Sequence, residues 1–190
     1  SYSFLTIWKL DAPIEAVWNA IADAARYPEW WKYVASVERI SPGDERGVGV
    51  VGRTTWRTAL PYTLSFEGRI TRVEPPHLLE GVTTGELEGT GRWELSEDAN
   101  GTTVRYTWKV RTTRPWMNLV APLLRPAFVW NHDVLMTEGG EALARLLGAR
   151  LLQNESGDVA RTGRPHTAPL LGGMLLGAGV AVCVRLALRR

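Results

Sequence analysis

Residues 91–110 read GRWELSEDANGTTVRYTWKV, and this stretch decides the class of fold. In its second half Val104, Tyr106, Trp108 and Val110 alternate with Arg105, Thr107, Lys109 and Arg111. Successive side chains on a strand point to opposite faces, so this period of two predicts an antiparallel strand with one dry and one wet face. Upstream, Trp93 and Leu95 alternate in the same way beyond Gly91. Asp98, Asn100 and Gly101, between the two runs, supply the turn chemistry of a hairpin.

Working back toward the N-terminus, Leu64, Phe66, Gly68 and Ile70 repeat the alternation. Turn residues at Ser41 to Gly43, Leu60 to Pro61, Pro75 to Pro76, Gly85 and Asn100 to Gly101 divide the chain from Val34 onward into about six strands. Phe4, Ile7, Trp8 and Leu10 form an earlier strand that stops at Asp11. Pro13 then suits the first position of a helix, with Glu15 in the favourable first turn. The spacing of Ile14, Val17, Ile21 and Ala24 predicts an amphipathic helix over 13–24, and a second short helical piece follows at Glu29 to Tyr33. After Pro115 the period returns to about 3.6, placing Phe128, His132, Leu135, Gly139, Ala142 and Leu146 on one stripe of a long helix. Pro122 and Pro126 are expected to kink or interrupt it. The order predicts an α+β fold: a curved antiparallel sheet of about seven strands wrapped around a long C-terminal helix, with two short helices after strand 1. A sheet that curls round one helix without closing tightly leaves a cavity between them.

The chain has 190 residues at 21.1 kDa, 45% hydrophobic and 22% charged, enough for one domain of about 150 residues with about 40 left over. A disordered, collagen-like or disulfide-stapled chain is excluded. Residues 1–152 carry 17 basic and 18 acidic side chains, and residues 153–190 carry 5 and 2. The basic excess therefore sits in the tail, and the folded part has no bias toward nucleic acid. One cysteine, Cys183, and three scattered histidines make neither an intramolecular disulfide nor a metal cluster, so no metal or cofactor is expected. The opening SYSFLTIWKLDAP has no secretory-signal pattern, which leads to the expectation of a cytoplasmic domain.

Three segments together resemble a known family: APIEAVWNAIADAARYPEWW, GRWELSEDANGTTVRYTWKV and WNHDVLMTEGGEALARLL. They are similar to the polyketide cyclase/dehydrase and lipid-transport group of the SRPBCC superfamily, the START-like, birch-pollen-allergen-like helix-grip proteins. The resemblance covers about residues 3–150. It implies the helix-grip fold, while its members range over lipid carriers, quinone binders and aromatases, so activity must be argued from the site.

Nine Trp, five Tyr and three Phe are many for this length. If the dry faces are as inferred, Trp56, Phe66, Trp93, Tyr106 and Trp108 face the long helix, where Phe128, His132 and Leu135 complete an aromatic-lined binding site. His132 is the main titratable candidate: a neutral imidazole can hydrogen-bond a ligand or serve as general acid or base, with Tyr106 as the second polar group. Its structural alternative is a core histidine bonded to a strand. Asp133 lies about 100 degrees round the helix, so an Asp–His pair within that helix is not expected. Gly47, Gly49 and Gly52 match GxGxxG, but Arg53 to Thr58 read as a strand rather than a helix, which removes the basis for phosphate binding. The glycines are read as a bent or bulged strand start. Glu67, Glu86, Glu88 and Glu94 are assigned mostly to the wet face. Asn154, Glu155 and Ser156 spell a glycosylation sequon, expected to be inert in a cytoplasmic domain.

Beyond the helix-grip domain at 1–150, residues 151–167 read as a flexible linker. Residues 168–190 form an apolar tail whose first 17 residues carry no charge, short for a bilayer but extended by snorkelling of Arg185. A transmembrane or membrane-associated tail anchor is expected, the alternatives being a terminal helix folded against the domain or a disordered Gly-rich end, and its Gly173 and Gly177 could pair two copies in a weak homodimer. The functional expectation is binding or transport of a small hydrophobic ligand (a lipid, an isoprenoid quinone or an aromatic, polyketide-like molecule). The alternative is a cyclase, aromatase or dehydratase.

Overall fold

The computed structural model describes residues 1–60, 62–113 and 115–159, residues 115–124 by main chain only. Strand β1 (Tyr2–Leu10) is followed by α1 (Ile14–Ala22), a 3-10 turn (Ala24–Arg26) and α2 (Tyr27–Trp30). Six strands come next: β2 (Val34–Pro42), β3 (Val50–Arg57), β4 (Thr63–Glu74), β5 (Leu78–Gly85), β6 (Leu87–Asp98) and β7 (Gly101–Thr112). The long helix α3 (Pro115–Leu147) and a last strand, β8 (Leu151–Asp158), complete the order. All neighbouring strands are antiparallel in one sheet, β2-β3-β4-β5-β6-β7-β1-β8. This is the helix-grip architecture, with α3 against the concave face.

The alternation that predicted the strands also sets the inner face. Tyr2, Phe4, Thr6, Trp8 and Leu10 are all buried along β1, and they pair in register with Val110, Trp108, Tyr106, Val104 and Thr102 of β7. The wet face carries ion pairs such as Arg53–Glu67, Arg111–Glu88 and Arg92–Glu94, whereas Glu86 turns to accept from the Ser65 amide at 3.0 Å.

The main core lies where α1, α2 and the C-terminal half of α3 meet β1, β6 and β7. Two indoles tie it together. Trp8 donates to the Met136 carbonyl at 3.2 Å and Trp31 to the Leu135 carbonyl at 3.0 Å, satisfying buried donors that would otherwise be costly. Their rings can approach the helix backbone because Gly140 and Gly139 lie beneath them: a Cβ would come within 2.8 Å of Trp8 and 2.3 Å of Trp31.

Several expectations need correction. The sheet has eight strands, because residues 151–158 of the expected linker form β8. Their polar composition, which reads as a linker, is used instead on α3: Asn154 donates to the Thr137 carbonyl at 2.8 Å, Ser156 approaches His132, and Asp158 pairs with Arg125 at 2.7 Å. The sequon asparagine is therefore engaged inside the fold. Helix α1 ends at Ala22 rather than at residue 24, and α2 covers Tyr27–Trp30 rather than Glu29 to Tyr33, because Trp31 leaves the helix to reach α3. Helix α3 continues through Pro122 and Pro126, each of which removes only one main-chain donor. On its predicted stripe Leu146 is 43% exposed, the last turn having passed Leu143 and Ala144, the final buried residues. Gly47 and Gly49, with φ of 83° and 84°, form the turn into β3, and no helix follows them. Among the described residues no helix is long and apolar enough to cross a membrane. The rest of the expected linker from residue 160 and the apolar tail at 168–190 lie outside the described residues.

Candidate functional site

Between α3 and the sheet lies a cavity of about 210 Å³. Trp56, Phe66, Trp93, Tyr106, Trp108, Phe128, His132 and Leu135, the residues expected to surround a ligand, all lie on its wall. Their sources are β3, β4, β6 and β7 on one side and α3 on the other, so only the curl of the sheet brings them together. Tyr2, Phe4, Trp31, Tyr62 and Asn131 also line it. The alternation of Phe4 with Trp8 carried a signal for β1, but nothing local marked Tyr62 or Asn131. The Asn131 side-chain oxygen accepts from the Ala59 amide at 2.8 Å, which fastens the β3–β4 loop over α3.

The wall is built of stacked rings. Trp93 lies 3.9 Å from Tyr106 and nearly parallel, while Phe4 stacks on His132 at 3.8 Å, with Trp108 beside both, 5.6 Å from His132 and 6.1 Å from Phe4. Parallel, offset rings of this kind present flat apolar surfaces.

His132 is the polar exception. It is 6% exposed, and burial pushes its pKa down although Asp133 and Asp158 pull it up. Desolvation dominates because the charged ring has no water to solvate it, so the imidazole is neutral at pH 7. Its Nδ1 lies 3.4 Å from Asp133 Oδ1 and 3.4 Å from Ser156 Oγ. This corrects the expectation that Asp133 and His132 stay apart: the Cβ directions diverge, yet the short carboxylate arm swings back to the ring edge. A carboxylate only accepts, so the contact favours the tautomer with hydrogen on Nδ1 and a lone pair on Nε2. That Nε2 is buried without a hydrogen-bond partner, as is the Trp56 Nε1 donor on the same cavity. Two of the residues that line the chamber thus each carry one buried polar atom unspent, an acceptor on His132 and a donor on Trp56. Tyr106 cannot act as a base near neutrality, because burial raises its pKa far above the usual phenol value.

A second chamber of about 470 Å³ lies beneath α1 and the 3-10 turn and shares Tyr27, Thr54, Trp93 and Tyr106 with the first.

The same cup and helix recur in known structures. A protein from Thermus thermophilus is 18% identical, with a TM-score of 0.61 over 76% of this chain and 98% of that one. The Zhui aromatase/cyclase from Streptomyces sp. R1128 is 13% identical, with a TM-score of 0.59 over 77% of this chain and 93% of that one. Ara h 8.0201 is 14% identical, with a TM-score of 0.52 over 77% of this chain and 97% of that one. At these identities the likeness is one of fold. No curated protein matches the chain. A family model described as polyketide cyclase / dehydrase and lipid transport matches residues 8–148. Strands β2 to β7 and α3 fall within that match, and the chain belongs to this family, within the SRPBCC superfamily.

Proposed function

We propose that the domain binds a flat, largely apolar ligand carrying a hydroxyl, and that it acts as a binding or transfer protein. The observation that carries this reading is the buried, unpartnered Nε2 of His132, a residue that lines the ring-walled cavity. A buried acceptor without a partner costs free energy that a ligand hydroxyl recovers, and the Trp56 Nε1 can donate to a ligand carbonyl. The ligand class is lipid-like, quinone-like or polyketide-like, and the apolar run at 168–184 supports tethering that raises the domain's effective concentration at a membrane. Titration with 2-naphthol and naphthalene, followed by tryptophan quenching, tests the reading. We expect 2-naphthol to bind more tightly by about 2- to 12-fold, the worth of one hydrogen bond, and His132→Phe to erase the preference. Equal binding of the two probes by the native protein, or no binding at all, refutes it.

A second reading, a cyclase, aromatase or dehydratase, draws on the Asp133 carboxylate beside Nδ1. With Nδ1–H directed at Asp133, Nε2 can take a proton from a carbon next to a ligand carbonyl while Trp56 or Tyr106 donates to the oxygen. General-base help is worth about 10²- to 10⁴-fold. Turnover of a poly-β-ketone that falls by this factor in His132→Ala supports the enzyme, and unchanged turnover makes His132 a binding residue only.

A further inference from the structure

The second chamber differs from the first in what its floor lacks. On the concave face Gly52 pairs with Gly68, and Gly68 with Thr83, so one side chain covers the width of three strands. In the next row Gly81 faces Gly91. An ideal Cβ on Gly68 would meet nothing within 4 Å, so the glycine leaves open space there rather than relieving a tight contact. The Thr83 hydroxyl on this floor is buried and has no hydrogen-bond partner. At the exposed rim stand Arg39 and Arg46. Arg53, Arg72 and Arg111 on the outer surface are each paired with a glutamate, whereas Arg39 and Arg46 have no carboxylate partner among the described residues.

An apolar trough with a glycine floor and two unpaired guanidiniums among its lining residues, its one lining carboxylate, Glu80, being already paired with Arg92, has the shape and charge of a site for an amphipathic anion. We propose that this second chamber is a ligand site in its own right, which takes an unbranched apolar chain along the glycine floor and its anionic end at Arg39 and Arg46. The proposal rests on the reading above only in treating the interior as a place where a ligand lodges. The two chambers share a wall of Trp93 and Tyr106.

The test uses the full chain, with dodecanoate as probe of the second chamber and 2-naphthol as probe of the first, titrated calorimetrically. Gly68→Leu fills the floor from a position where the side chain has room, and Thr83→Leu fills the same floor from the neighbouring strand. Either should weaken dodecanoate at least 10-fold and leave 2-naphthol within about 2-fold. The double change Arg39→Gln with Arg46→Gln should weaken dodecanoate about 3- to 10-fold, as expected of partly exposed charge pairs, and leave dodecan-1-ol unchanged. Absence of dodecanoate binding to the native protein, or full binding in whichever leucine variant retains native circular dichroism, overturns the proposal. Loss of 2-naphthol binding alone strikes the first-chamber reading instead.

Discussion

Replacing Gly139 by Ala sets helix propensity against tertiary packing, and the structure determines the sign. In an exposed helix this change stabilises by about 1 kcal/mol. In α3 the new methyl would stand 2.3 Å from Cζ2 and 2.5 Å from Cε2 of Trp31, well inside contact distance. Trp31 is 1% exposed and is wedged among the rings of Trp8, Tyr27, Trp30 and Trp56, so it cannot yield by rotating into solvent. Overpacking of this kind costs about 1–3 kcal/mol. Displacing the indole also breaks its 3.0 Å bond to the Leu135 carbonyl, leaving a buried donor unmade at about 1–3 kcal/mol. Subtracting the propensity gain leaves a net destabilisation of about 3 kcal/mol. For a chain of this size that lowers Tm by about 6–12 °C. Urea unfolding followed by circular dichroism and tryptophan emission measures it, and because Trp31 lines the first cavity, 2-naphthol binding should weaken in parallel. A Gly139→Ala protein as stable as the native one, or more stable, would refute the claim that the indole's seat on the helix backbone organises this core.

Three further outcomes follow from particular contacts. Because the folded state holds His132 with a lowered pKa, the unfolded chain binds more protons, and stability should fall as pH drops through about 6.5; His132→Phe should flatten that part of a Tm-against-pH curve, and an unchanged slope would contradict the assignment. Arg125→Met removes the 2.7 Å ion pair to the Asp158 carboxylate, which is 2% exposed, and should cost about 1–3 kcal/mol in urea unfolding, less than a fully buried pair because Arg125 is half exposed. Tyr27→Phe removes the 2.6 Å bond from the Tyr27 hydroxyl to the Ile21 carbonyl and should cost about 1 kcal/mol; a neutral result would mean that water replaces the hydroxyl.

The first seven strands were legible because they carry their own signal. Val104, Tyr106, Trp108 and Val110 occupy one face of β7 whatever lies beside them, since a strand's period is a property of its backbone, and the stripe from Phe128 to Ala142 marks α3 for the same reason. The turn residues then separate six strands in order. The residues of the first cavity could be named because inward positions of a curled sheet must face the helix that it holds.

What sequence could not reveal depends on partners far along the chain. Strand β8 has no apolar period, since Asn154, Ser156 and Asp158 face Thr137, His132 and Arg125 of α3 rather than other apolar side chains. Asp133 reaches His132 through a side-chain torsion that spacing on a helical wheel does not record. The glycines at 52 and 68 read as weak points in strands, and they become the floor of a chamber only when β3 and β4 bring them side by side. Local periodicity thus determined which elements form and which faces are dry, because both follow from the geometry of the backbone. Tertiary structure alone decided which polar groups are satisfied and where space is left empty, because both depend on atoms brought together from opposite ends of the chain.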